Sequence, residues 1–393
     1  MREDPTRRWL LGAALLGGGA LAAGCGPAAA ASPVRGRKVL WRQPFPFAGG
    51  ADDSFGLKLV TAAPGLVLAG HGGNLYAFDP STGKPRWNSP NGPYDSTGTV
   101  RAPAAIAGPV VLTLRTTQQS STLFALNATT GRPLWQATGA PDSLPAAPGA
   151  TAGGGSGGNG GTGSGGGAGS LVFFAADGHL NAYDTRTGHI RWRHRATGPS
   201  TVRPVASGPT VYATDGTHLT ALHAANGHIL WRRPLGPAQV LAAPTALYTL
   251  TDRLTVLDPH TGHTRRESHP LDVLRKGARD TTLANNTLYL ANTGGEPPYL
   301  WALDATTGHT RWTFTAAKAI QGPATATPTT VYTGDSSGKL YALDAKTGHP
   351  HWTLDTAKAP VNAPTATATT VYAIIASAPD APDPTDHLYA LQA

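Results

Sequence analysis

The chain has 393 residues, a formal net charge of +8, 14% charged residues, 49 glycines and 34 prolines. The positive charge is spread along the sequence and not gathered into a basic run interleaved with aromatics, which argues against nucleic acid as a partner. A single cysteine, Cys25, excludes internal disulfides and any multi-cysteine metal site, so the fold must hold without staples. No long amphipathic helical period follows the first two dozen residues, and the abundant Gly and Pro fit an all-β chain.

Residues 1–24 read as an export signal. Arg7 and Arg8 precede an apolar run from Leu10 to Ala23, too short and too rich in glycine for a stable spanning helix. The run ends in Leu21-Ala22-Ala23-Gly24-Cys25, which resembles a lipobox, and the arginine pair resembles a twin-arginine signal. Cys25 is therefore the expected site of lipid attachment, with Ala22 a departure from the usual leucine and the export route left open. Residues 25–37, rich in Ala and Pro, form a flexible tether that cannot build a core. The expected address is the outer face of the cytoplasmic membrane.

From Lys38 the chain is repetitive. Val39-Leu40-Trp41 has the look of the last strand of a repeat whose earlier part is missing. The repeat itself is a hairpin: Leu75-Tyr76-Ala77-Phe78-Asp79 with Gly83 and Trp87, and then six variants whose tryptophan place holds Trp135, Trp192, Trp231, Arg266, Trp312 and Trp352. The chain ends in His387-Leu388-Tyr389-Ala390-Leu391, the start of the same hairpin cut off before its glycine and tryptophan. The two termini complete each other. Upstream of each hairpin lies a further pair of short strands, such as Arg203-Pro204-Val205 with Val211-Tyr212, so each unit of about 40 residues has four strands. The expected fold is an all-β, eight-bladed β-propeller over residues 38–393, closed by N- and C-terminal strands sharing one blade. A Gly-rich, disordered insert at 149–170 interrupts the third blade without burying surface.

The turn residues have a local logic. Asp or Asn at the strand end bonds the backbone two residues on, and glycine accepts the left-handed conformation. Ala77, Ala125, Ala182, Ala221, Ala302, Ala342 and Ala390 are small in strands otherwise filled with large residues, so something must pack there. Tryptophans are the candidates: Trp41, Trp87, Trp135, Trp192, Trp231, Trp312 and Trp352 are expected to dock blade to blade, and Arg266 marks the fifth blade as the weak joint. The repeated Ala-x-Asp-x-x-Thr-Gly-x-x-x-Trp, as from Ala302 to Trp312, resembles the tryptophan-docking motif of the PQQ-type, quinoprotein-like eight-bladed propellers. That superfamily contains pyrroloquinoline quinone dehydrogenases and the non-enzymatic BamB-type lipoproteins of outer-membrane assembly. The resemblance implies fold, not activity.

For a dehydrogenase the resemblance implies calcium, an acidic base and usually a pair of adjacent cysteines around the quinone. This chain lacks the cysteine pair, its glutamates are only Glu3, Glu267 and Glu296, and its repeat aspartates are accounted for by turns. His189, His228, His263, His309 and His349 all follow the motif glycine, but equivalent places around a ring are too far apart to share a metal. They make one rim more positive at low pH. Gly334 to Lys339 lacks the spacing of a phosphate loop, and Asn127-Ala128-Thr129 matches a glycosylation sequon only because Asn stands in the aspartate place. At the mouth of the ring Arg101, Arg203, Gln321 and Asn362 hold comparable places and suggest a weakly cationic funnel as the candidate ligand site. The function expected is that of a non-catalytic, lipid-anchored scaffold, a monomer without cofactor or metal that binds protein partners in the cell envelope. A PQQ-dependent dehydrogenase of divergent type is the alternative, and a sensor domain of a signalling system a third reading.

Overall fold

Each hairpin of the repeat is closed by its own residues. In the sixth, Asp304 Oδ1 accepts the N–H groups of Thr306 and Thr307 at 2.9 and 2.8 Å, and the Gly308 N–H returns to the Asp304 carbonyl at 2.8 Å. Gly308 sits at φ +74°, a conformation that costs any residue with a Cβ. The Trp312 end of the hairpin then carries a bulge: Ala302 faces Trp312, but Leu303 faces Thr310, so Arg311 is the extra residue. The bulge turns that arginine back onto the motif carboxylate, where its Nη2 meets Asp304 Oδ2 at 2.6 Å.

The same clasp joins Arg86 to Asp79, Arg191 to Asp184 and Arg265 to Asp258 at 2.6 to 2.8 Å, with His351 near Asp344 at 3.6 Å. In the three remaining blades the acid place holds Asn127, His223 or Gln392, and the place before the tryptophan holds exposed Leu134, Leu230 or Leu40. A cation is present only where there is a carboxylate to receive it.

The computed structural model describes residues 37–45, 59–63, 65–71, 74–89, 99–116, 119–139, 146, 171–176, 178–195, 203–276, 280–293, 295–356, 361–362, 364–375 and 386–393. They form eight antiparallel sheets, over residues 59–89, 99–139, 146–195, 203–234, 239–267, 280–315, 325–355, and last 365–392 with 39–44. Each is an up-and-down meander, and the first strands of neighbouring blades touch, so these line the centre and the fourth strands form the outside. The eighth blade runs in the order Val39–Pro44, His387–Gln392, Thr370–Ile375, Thr365–Ala366, which is the closure by both termini expected above. Seven blades have four strands. In the third, the first strand is reduced to one bridge, Ala146 with Phe173, beside three full strands. Arg7, Arg8, Cys25, residues 25–36 of the tether and the 149–170 insert lie outside the described residues.

The small alanines are explained by register. Tyr289, Ala302 and Trp312 stand side by side on three strands, and the two rings meet across the alanine with centroids 5.9 Å apart. Tyr332, Ala342 and Trp352 repeat this at 6.0 Å, and Tyr372, Ala390 and Trp41 at 5.8 Å. A larger residue in the middle would separate the rings.

Each indole also reaches forward. Trp312 Nε1 donates to the Ala345 carbonyl at 3.1 Å, and a Cβ on Gly348 would lie 2.6 Å from the Trp312 ring. The motif glycine is thus required both by its φ and by the face of the preceding blade's tryptophan. Trp41 docks in this way on Gly83, Trp87 on Gly131, Trp135 on Gly188, Trp192 on Gly227 and Trp231 on Gly262. Trp352 faces the split eighth blade, where the guanidinium of Arg37 covers its ring.

The joint between the fifth and sixth blades is built differently. Arg266 is exposed opposite Val256, and the place before Gly308 is taken by Ser268 and Leu271. A short helix, α1 (Asp272–Arg275), lays Val273 into a cluster with Tyr248, Leu254, Val256 and Trp301, the last at a place where other blades carry Tyr76, Tyr341 or Tyr389. The joint that the sequence marks as weak is filled by an inserted turn and by the next blade's own indole.

The meander sorts the loops onto two rims. Turns joining first to second and third to fourth strands share one rim, as the bonds from Ala305 N–H to Asn286 O and from Ala345 N–H to Thr329 O show. The other rim carries the second-to-third turns and the connections between blades. Among the described residues no helix is long and apolar enough to cross a membrane.

Candidate functional site

The residues leading into the first strands share one backbone place on the second rim. Arg101 pairs with Leu114 and Arg203 with Thr214, while the N–H groups of Gln321 and Asn362 reach the carbonyls of Gly334 and Ile374 at 2.9 and 3.3 Å. Each partner stands two residues past the second-strand residue that packs on the alanine, namely Leu112, Tyr212, Tyr332 or Tyr372. The four candidate residues therefore occupy equivalent positions in the second, fourth, seventh and eighth blades. Gln321 and Asn362 are half-buried, and the Gln321 amide donates to its own loop at the Ala319 carbonyl, 3.2 Å away. The side chains of Arg101 and Arg203 lie outside the described residues.

Two residues that sequence reasoning missed hold the same place in the blades between. Gln239 pairs with Leu250 and Asp280 with Ala291. Gln239 Oε1 accepts the Thr281 hydroxyl at 3.1 Å, and Asp280, 8% exposed, accepts that of Thr293 at 2.5 Å. Counting back from the second-strand Tyr248 and Tyr289 would have found both. Asp280 adds an acid to the ring of arginines and amides, so the mouth is less cationic than its two arginines suggest.

Two described carboxylates elsewhere on this rim are already engaged. Asp335 is fully buried in the seventh blade, where Oδ1 accepts the N–H of Ser337, its hydroxyl and the N–H of Lys339, and Oδ2 accepts the Tyr341 hydroxyl at 2.9 Å and the Lys318 N–H at 3.2 Å. Burial, with Asp335 beside it, holds the Tyr341 hydroxyl firmly protonated. Asp215 in the fourth blade accepts the Thr217 N–H and hydroxyl and the His218 N–H at 2.7 to 2.9 Å. Such acids hold turns together and do not wait for a substrate.

A quinone with calcium needs free oxygen donors and an acidic base. Glu267 is bound by Arg253 at 2.6 Å on the outer strand of the fifth blade, Glu296 is an exposed loop residue, and Glu3 and Cys25 lie outside the described residues. Among the described residues no three His, Cys, Asp or Glu side chains converge as metal ligands. The described residues gather no donor set for that pair.

A family model described as outer membrane protein assembly factor BamB matches residues 28–154, 176–297 and 298–391. The chain belongs to that family. BamB from Moraxella catarrhalis is similar in structure, with a TM-score of 0.57 and 17% identity over 90% of this chain and 99% of that one. The computationally designed Ika8 protein matches with a TM-score of 0.60 at 16% identity, covering 86% of this chain and 97% of its own. The C-terminal WD40 domain of Sif2 matches with a TM-score of 0.59 at only 6% identity, over 91% of this chain and 98% of that domain. Likeness at such identities is likeness of fold. No curated protein matches the chain significantly. BamB-family membership and the closed ring together make this a PQQ-repeat propeller, with membership suggesting an envelope protein that works through protein contacts.

Proposed function

We propose that this BamB-family propeller is exported, held at the outer face of the cytoplasmic membrane by acyl chains on Cys25, and serves as a non-catalytic, monomeric scaffold for protein partners, without quinone or calcium. The observation that carries this reading is the employment of its acids. Five repeat aspartates are spent on turns and Asp335 on a buried network, whereas the described turns and outer strands present exposed side chains. Family membership supports an assembly role, and the lipobox-like stretch ending in Cys25 supports the anchor.

Calorimetric titration of the intact chain with pyrroloquinoline quinone and calcium, followed by dye-linked alcohol oxidation, tests the catalytic side. Neither heat nor turnover is expected, and saturable binding with turnover would instead establish a dehydrogenase. The anchor is tested by intact mass and membrane fractionation of the parent and Cys25→Ser chains. Loss of an acyl mass increment and release from the membrane are expected for the variant. An unacylated, soluble parent would refute the anchor while leaving the scaffold untouched.

A further inference from the structure

The residue after the motif glycine, or after Arg37 in the glycine place of the eighth turn, is basic or histidine throughout. It is Lys38 in the split eighth blade, then Lys84, Arg132, and in five consecutive blades His189, His228, His263, His309 and His349. In every turn its carbonyl accepts the N–H of the motif residue at 2.8 to 3.0 Å, so all eight backbones are held alike. Their side chains are exposed and, among the described residues, carry no hydrogen bond or ion pair. Eight equivalent places on a closed ring all lie on one rim.

Among the described residues, other charges on this rim leave the crown uncompensated. The motif aspartates Asp79, Asp184, Asp258 and Asp304 are each matched by a clasping arginine, whereas Asp344 meets His351 at 3.6 Å and keeps its own charge when that ring is neutral. Arg186, His260 and Lys346 in the same turns add basic groups, whereas Arg37 is engaged by a backbone oxygen of Ala393 and adds no surplus charge. The described first-to-second turns packed beside them, such as Gly108-Pro109, Gly208-Pro209 and Asn285-Asn286, contain no ionisable side chain.

We propose that this rim docks face-on to an anionic lipid bilayer, with an affinity that rises as pH falls. A linear acidic peptide meets only a few members of a closed ring, whereas a layer of anionic headgroups meets them all. Histidine is the side chain that gains charge between pH 7 and pH 5, so acidification extends the cationic arc from three blades to the whole rim. The strand Val39–Pro44 is also entered from this rim, at Lys38. On the anchored reading above, Cys25 stands twelve residues before Arg37, a reach of at most about 40 Å, so acyl chains and crown would act on one membrane as the two signals that stable attachment requires.

The test is co-sedimentation of the intact, non-acylated chain with vesicles of phosphatidylcholine alone or mixed equally with phosphatidylglycerol. On mixed vesicles the partition constant should rise at least about tenfold from about pH 7.5 to about pH 5.5, and fall with salt. Replacing His189, His228, His263, His309 and His349 by Gln should remove the rise and leave the neutral-pH value. Lys38→Gln, Lys84→Gln and Arg132→Gln should each lower binding about fivefold at both pH values, the weight of one basic group at such a surface. Arg195→Gln with Lys318→Gln, on the opposite rim, should change nothing, and unaltered melting temperatures establish that the variants fold. Any contribution of the apolar N-terminal run is common to all chains and cancels. Equal binding to both vesicle types, or binding indifferent to the crown substitutions, would overturn the proposal. So would polyglutamate competing as well as lipid at equal charge, which would assign the rim to an acidic polymer. None of these outcomes depends on whether Cys25 is acylated in the cell.

Discussion

Arg37 lies 4.9 Å over the ring of Trp352, four residues before Trp41, in the place that glycine holds in the other seven turns. The eighth turn is cut, so no chain needs to bend there, and a cation replaces the bend. The Arg37 Nη2 also donates to an Ala393 backbone oxygen at 2.8 Å, tying the entry to the ring's first strand to the end of its last. Arg37→Ala should destabilise the ring by about 1–2 kcal/mol in urea unfolding, as expected for a partly desolvated cation over an indole. Arg37→Met, which keeps the packing stem, should recover only part of this. Equal stability of Arg37→Met and the parent would show that the charge is irrelevant.

The clasped aspartates give the ring a defined acid limit. Arg86 holds Asp79 and Arg191 holds Asp184 down to about 2; Asp304 also lies at about 2, where burial acts upward and Arg311 with the turn N–H groups outweighs it. A carboxyl lowered in the folded state stabilises above its unfolded pKa and loses that contribution as pH falls through the folded value. The melting temperature should therefore drop between about pH 4 and about pH 2. Asp304→Asn combined with Arg311→Leu copies the Asn127 and Leu134 arrangement of the second blade. It should cost no more than about 1 kcal/mol at neutral pH and make the acid drop shallower. A drop as steep as the parent's would place the acid sensitivity elsewhere.

The fifth joint tests whether the tryptophan repeat is a requirement or one solution among several. Arg266→Trp restores the repeat but meets Ser268 where the docking surface should be, so no gain in urea midpoint is expected. Trp301→Ala should cost about 3–5 kcal/mol, because that indole fills the joint from the other side. A stabilised Arg266→Trp chain would mean that the inserted turn yields readily to an indole.

Much of this was legible because it is local. An Asx turn, a left-handed glycine and a strand of period two are decided by residues within about ten positions of one another, and repetition supplies independent copies of each. The split blade was legible too, since Trp41 and Ala390 are halves of one known pattern. The mouth was only partly so: Arg101, Arg203, Gln321 and Asn362 share a register with Gln239 and Asp280, and Asp280 comes into view only by counting back from Tyr289 on the next strand. Their relation runs through strand pairing.

The sequence by itself determined the turns, the blade count, the closure by the termini and the need for something to pack on each alanine. Tertiary structure decided what a tryptophan meets on the next blade, what replaces it beside Gly308, which cation covers Trp352, and that eight basic or histidine side chains share one rim. The division is physical. Hydrogen bonds within a turn need only neighbours in the chain, whereas docking between blades and the summed field of a rim depend on which turns the closing ring brings together.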